Sequence, residues 1–200
     1  QNGSQMNQQI SVNGGTEKTQ VSLSLSYFKE NGLVEGTDFG RYTARVNVDH
    51  QINKIFKVGM SNLYSHSTQN WGSGATISEA VNQTPLGMPY DDEGNLIFLP
   101  IIRTNPLNEL VPGKYIDERT VNRLFSSVYA EVQILDGLKY KFLIGQDYQA
   151  WERGRFEGQF TQARKNGTPS AGLFNQQSFG YTQENLLTYN KSFGWFLSVG

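Results

Sequence analysis

The sequence predicts an all-β protein of antiparallel strands, and three observations carry that prediction. Apolar side chains recur at every second position over several segments, the pattern of a strand with one greasy and one wet face. Short turn-forming segments alternate along the chain with much longer links. Composition agrees: 200 residues hold 21 Gly, 10 Tyr and 12 Phe, while charged residues make up only 18%.

The same numbers exclude several classes. Lys plus Arg is 17 and Asp plus Glu is 18, a net charge of −1. That balance excludes general binding to nucleic-acid backbones, which needs a basic excess. With 0 Cys there is no disulfide framework, thiolate metal site or cysteine nucleophile. No apolar run approaches the ~18 residues of a spanning helix. The chain opens Gln1-Asn2-Gly3 and closes inside an apolar stretch, so it reads as a piece of a longer polypeptide.

The elements follow in order. A first short strand is expected near Gln8–Val12, and Asn13-Gly14-Gly15-Thr16 then reads as a hairpin turn with Gly supplying positive φ. Val21, Leu23, Leu25 and Tyr27 alternate with Ser22, Ser24 and Ser26 in the next strand. Tyr42, Ala44, Val46, Val48, His50 and Ile52 alternate with Arg41, Thr43, Arg45, Asn47 and Asp49. After a short turn, Phe56, Val58, Met60 and Tyr64 stay in phase. Val128, Ala130, Val132 and Ile134 form a further strand, turned at Asp136-Gly137-Leu138 into Tyr140, Phe142, Ile144 and Tyr148. The links Lys29–Gly40, Ser65–Glu118 and Glu152–Ser178 read as loops. The second holds a possible short helix, Ile77–Gln83, stopped by Pro85.

Two closures suit such a sheet. One is an outer-membrane barrel, which has short turns at one end, long loops at the other and strands of ~9–11 residues. The other is a soluble, secreted β-sandwich that binds or cleaves glycans, whose strands also alternate.

An ordered set of motifs favours the first, with the sandwich kept as the alternative. These are the Gly14-Gly15 turn, Ser24 to Tyr27, the Gly32 to Thr37 loop, and Arg41, Tyr42, Arg45 and Asn47. Asn105-Pro106-Leu107, Tyr129-Ala130-Glu131 and Thr188 through Phe193 continue it. The set resembles the SusC/RagA family of TonB-dependent outer-membrane transporters. The resemblance implies a bacterial outer-membrane, multi-pass barrel of roughly 22 strands with long extracellular loops. This chain would supply about seven or eight of those strands, with residues 1–200 in one barrel domain and no plug domain among them. Residues 194–200 resemble a strand from further along such barrels and are expected to be non-contiguous with the rest. The family imports oligosaccharides or peptides with a SusD-like surface lipoprotein as lid. Energy comes from TonB through the plug. No cofactor, metal or enzymatic role is implied.

On that reading the lipid-facing residues are Val21, Leu23, Leu25, Tyr42, Val46, Val48, Val58, Met60, Val128, Val132, Phe142 and Ile144. Tyr27, Tyr42, Tyr64 and Tyr148 suit the membrane–water interface. Arg41, Arg45, Asn47, Lys139, Lys141 and Asp147 fall on the opposite parity. Substrate contact is expected from loop aromatics Trp71, Tyr90 and Trp151, with Asp91, Asp92 and Arg153 as hydrogen-bonding partners. Tyr90 to Leu96 also has a calcium-loop look, but it lacks the alternating acids of an EF-hand, and a hairpin turn accounts for it better. Glu131 and Asp147 are the one candidate acid–base pair.

Overall fold

In the computed structural model, which describes residues 2–193 and 197–199, the alternating segments form one antiparallel sheet. Its strands are β1 (Ser4–Gly15), β2 (Thr19–Asn31), β3 (Thr37–Gln51), β4 (Phe56–Trp71), β5 (Tyr115–Leu135), β6 (Leu138–Glu157) and β7 (Ser170–Tyr189). They lie in chain order, β1-β2-β3-β4-β5-β6-β7. Every neighbouring pair is antiparallel. Short β8 (Lys191–Phe193) and β9 (Leu197–Val199) pair only with each other. The expectation for residues 194–200 lies largely outside the described residues.

The two ends of the sheet differ as expected. At one end the connections are residues 16–18, 52–55 and 136–137; at the other they are 32–36, 72–114 and 158–169. The longest link carries helix α1 (Ala75–Asn82) and a 3-10 turn at Pro106–Leu110. The helix begins two residues earlier than its sequence signal and ends one earlier.

Three sequence expectations are corrected. The seven strands of the large sheet run from 12 to 21 residues, not about ten. Consequently Ser65–Trp71, Tyr115–Glu118, Glu152–Glu157 and Ser170–Ser178 are strand where loop was expected. Alternation fades there because polar and aromatic residues occupy both faces, yet the cross-strand ladder continues. Finally, Gly14 and Gly15 end β1, and neither has positive φ. The first hairpin is closed by Thr16, whose backbone N–H donates to Thr19 O at 2.7 Å and whose Oγ1 accepts from the backbone N–H of Lys18 and of Thr19. Gly15 is needed because a Cβ there would run into Thr19 O. Gly137, at φ +83°, does take the positive-φ role between β5 and β6.

The register sorts the side chains into two faces. Val21, Val48 and Met60 lie opposite one another across β2–β4, and Met60, Val128 and Ile144 continue the row across β5 and β6. All twelve residues expected to meet lipid share this face. Tyr27 and Tyr42 stack there with centroids 4.7 Å apart. Tyr64, Leu124, Tyr148 and Phe179 form the adjoining row. From Phe56 to His66 the band is ten residue rises tall, roughly 25 Å for a strand tilted ~40°, which suits the ~25 Å apolar band of a barrel.

Among the described residues nothing buries the apolar side chains of this face against a facing sheet. Among the described residues no hydrophobic side chain is buried, and Val128, Ile144 and Phe179 are 50%, 48% and 65% exposed. A sandwich would bury those residues against a facing sheet, so the sandwich alternative fails. No helix among the described residues is long and apolar enough to cross a membrane.

The opposite face is polar and internally paired. Arg123 grips Asp147 through Nε and Nη2 at 2.8 and 2.5 Å. Tyr129 lies across Gly59 and donates its hydroxyl to Asp49. A Cβ at Gly59 would fall into that ring, which explains a glycine in mid-strand. Lys141 Nζ caps the same ring at 4.2 Å.

Candidate functional site

The richest chemistry on the polar face sits at its long-loop end. Here β4, β5 and β6 bring five side chains together. Arg119 of β5 and Arg153 of β6 are direct register partners. Arg153 makes a two-pronged pair with Asp117, Nε to Oδ1 and Nη2 to Oδ2, both at 2.7 Å. Its guanidinium also stacks 4.4 Å from the Trp71 ring, and that of Arg119 lies 4.6 Å from the ring of Trp151. Asp117 is only 6% exposed. The fork to Asp117 fixes the Arg153 guanidinium plane, and that plane braces the Trp71 indole; Arg119 meets Trp151 through the ring contact, its Nε buried without a hydrogen-bond partner.

Three of the six expected substrate-binding residues therefore converge: Trp71, Trp151 and Arg153. They do so from strands; Trp151 and Arg153 are not loop residues. Asp117 escaped the sequence reading because it fell in the Ser65–Glu118 link, and Arg119 because it preceded the alternation that begins at Val128. The signal was present in parity: Asp117, Arg119 and Arg123 alternate in phase with Trp151's partner Val121.

Tyr90, Asp91 and Asp92 do not join this patch. They form a small hairpin within loop 72–114, where Tyr90 and Leu96 make an isolated antiparallel bridge. Asp91 accepts from the backbone N–H of Asn95 at 2.7 Å, and Gly94 turns at φ +85°. That backbone hydrogen bond holds the Asp91 carboxyl below the usual carboxylate range. This segment is a hairpin turn.

Glu131 and Asp147 do not form an acid–base pair. Glu131 lies opposite Lys141, so Asp147 is six residues further along β6, roughly 20 Å at ~3.3 Å per residue. Glycosidase carboxylates stand ~5–9.5 Å apart. Each is instead engaged by a cation, Glu131 by Lys139 at 3.3 Å and Asp147 by Arg123.

Comparison with known proteins agrees with this architecture. No family model matches the chain. It is 30% identical over 215 residues to TonB-dependent receptor P3 of Formosa agariphila, covering 96% of this chain and 20% of that protein. It is 26% identical to TonB-dependent receptor P39 of the same organism, covering 92% of this chain and 18% of the relative. Among solved structures, the RagAB peptide importer in its closed-closed state superposes with a TM-score of 0.72 at 19% identity, over 94% of this chain and 22% of that one. Its open-open state gives the same TM-score over 93% of this chain. The chain thus spans about a fifth of the length of the proteins it matches.

A seven-stranded meander with a mostly apolar face, a more polar opposite face and no buried apolar side chain among the described residues defines the class: a stretch of β-barrel wall. Along nearly its whole length the chain is similar to a stretch of TonB-dependent receptors, and its fold is that of a segment of the RagAB importer's barrel.

Proposed function

We propose that this chain is part of the wall and outer loops of a SusC/RagA-type importer in the bacterial outer membrane, with a binding and transport role and no chemistry of its own. Residues 1–200 then lie within one barrel domain of roughly 22 strands. The plug that meets TonB lies elsewhere in the protein. The twelve apolar residues face lipid, and the polar face lines the lumen. Loops 72–114 and 158–169 face the substrate or a SusD-like lipoprotein lid. The substrate is an oligosaccharide or a peptide.

One observation carries the transport reading: the arginine-braced indoles at the loop end of the polar face. Trp71 stacks on Arg153, which Asp117 orients, and Trp151 lies against Arg119. Such preorganised aromatic platforms suit the C–H faces of sugars and the side chains of peptides. Losing both rings should cost ~1–2 kcal/mol of binding, or roughly tenfold in Kd. The test is Trp71→Ala with Trp151→Ala in the full-length transporter. Calorimetric titration with oligosaccharide and peptide panels should reveal one class that binds the parent and binds the variant about tenfold more weakly. Equal affinity for every ligand the parent binds would sink the assignment of this site.

A further inference from the structure

Loops 72–114 and 158–169 meet in a polar seam closed to solvent. Helix α1 contributes Glu79 and the turn Pro106–Leu110 contributes Glu109, 5% and 7% exposed. Gln162 of the shorter loop bridges them. Its backbone N–H donates to Glu109 Oε1 at 2.6 Å, and its Nε2 donates to Glu79 Oε1 at 2.9 Å. Arg103, itself 43% exposed, approaches Glu79 Oε1 at 3.5 Å. Glu109 makes no ion pair among the described residues.

The second oxygen of each carboxylate is buried without a partner, and so is Gln162 Oε1. Two hydroxyls, Thr76 Oγ1 at the start of the helix and Thr104 Oγ1 beside Arg103, are in the same condition. Thr104 is 4% exposed and is tied to the end of α1 by Gln83 Nε2, which donates to its carbonyl at 2.6 Å. The Asn108 Nδ2 is buried and unpartnered too, but as a donor it has no bearing on a cation.

A buried carboxylate oxygen without a donor costs several kcal/mol, and proteins relieve that cost by pairing the charge or coordinating a metal. Arg103 touches only the Oε1 edge of Glu79, so most of the negative charge in the seam is uncompensated. Asn108 Nδ2 aside, the unsatisfied atoms of the seam are carboxylate, amide and hydroxyl oxygens, with no His or Cys. That donor set suits a hard divalent cation of the calcium type. No three acidic or His side chains converge among the described residues, so two carboxylates, neutral oxygens and water would complete the shell.

We propose that Glu79 and Glu109, with Gln162, hold one calcium ion that fastens loop 72–114 to loop 158–169. The test uses the full-length transporter in detergent, dialysed into calcium-free buffer and then assayed for bound metal by mass spectrometry. Glu79→Gln with Glu109→Gln keeps shape and the Oε1 acceptors, and should retain one equivalent of calcium fewer than the parent. In parallel, EGTA should speed tryptic cleavage at Arg103, Arg164 and Lys165 at least tenfold, and added calcium should reverse this. If the double variant fails to assemble, EGTA-dependent cleavage of the unmodified protein decides alone. Equal calcium in parent and variant, retention of magnesium in place of calcium, or cleavage indifferent to EGTA would each overturn the proposal.

Discussion

Asn105 organises the long loop almost by itself. It is 1% exposed. Its Nδ2 donates to Pro89 O at 2.8 Å and to Ile97 O at 3.0 Å, and its Oδ1 accepts from Leu107 N–H at 3.1 Å. One side chain therefore ties the Tyr90–Leu96 hairpin to the turn that presents Glu109. Asn105→Ala removes this donor from the Ile97 carbonyl and this acceptor from Leu107 N–H, while the Pro89 carbonyl keeps its bond from Ile97 N–H at 3.1 Å, a local loss of about 1–3 kcal/mol. Loop 72–114 should then be nicked by protease far faster while the barrel's heat-resistant mobility on gels is unchanged. Unaltered cleavage would show that Asn105 is dispensable. At this scale the sequence was only partly legible. Asn105-Pro106-Leu107 stood out as a motif, but its role depends on carbonyls eight and sixteen residues upstream. Likewise Asp117 gains meaning only from Arg153 on the next strand.

Strands were more legible than loops, for a physical reason. Where one face is greasy and the other wet, parity alone assigns every side chain, and it placed all twelve apolar residues on one face. Beyond the apolar band both faces are wet, so Ser65–Trp71 and Glu152–Glu157 lose the pattern although the ladder continues through them. The assignment of faces has a direct test on β3. Val46 sits between Leu23 and Asn62 on the apolar face, midway along the band. Val46→Arg places a charge near the bilayer midplane at a cost of about 2–4 kcal/mol, and should sharply lower the amount of folded protein in outer-membrane fractions. Thr43→Arg, on the other face of the same strand, should assemble normally, since that face already carries Arg41 and Arg45. Equal assembly of the two variants would refute the lipid-facing assignment.

At the scale of the whole chain, stability depends on what lies around it. The sheet has two edge strands, β1 and β7, and an edge strand left open is a template for aggregation. Residues along both faces of β7 are exposed, among them Phe174, Phe179, Tyr181 and Leu186 at 56%, 65%, 75% and 56%. With no buried apolar side chain among the described residues, the hydrophobic term that normally offsets chain entropy is missing in water. Lipid on one face and further strands at the edges supply it in a closed barrel, where every backbone group is also paired. The 200 residues expressed alone should therefore show no cooperative thermal transition by circular dichroism in plain buffer, and should elute as aggregates. Within the full-length protein in detergent, the same strands should resist amide exchange from Val21 through Tyr148. A monomer of the isolated chain that unfolds cooperatively in buffer would mean that some covering surface exists within these residues, and the open-sheet reading of the fold would have to be abandoned.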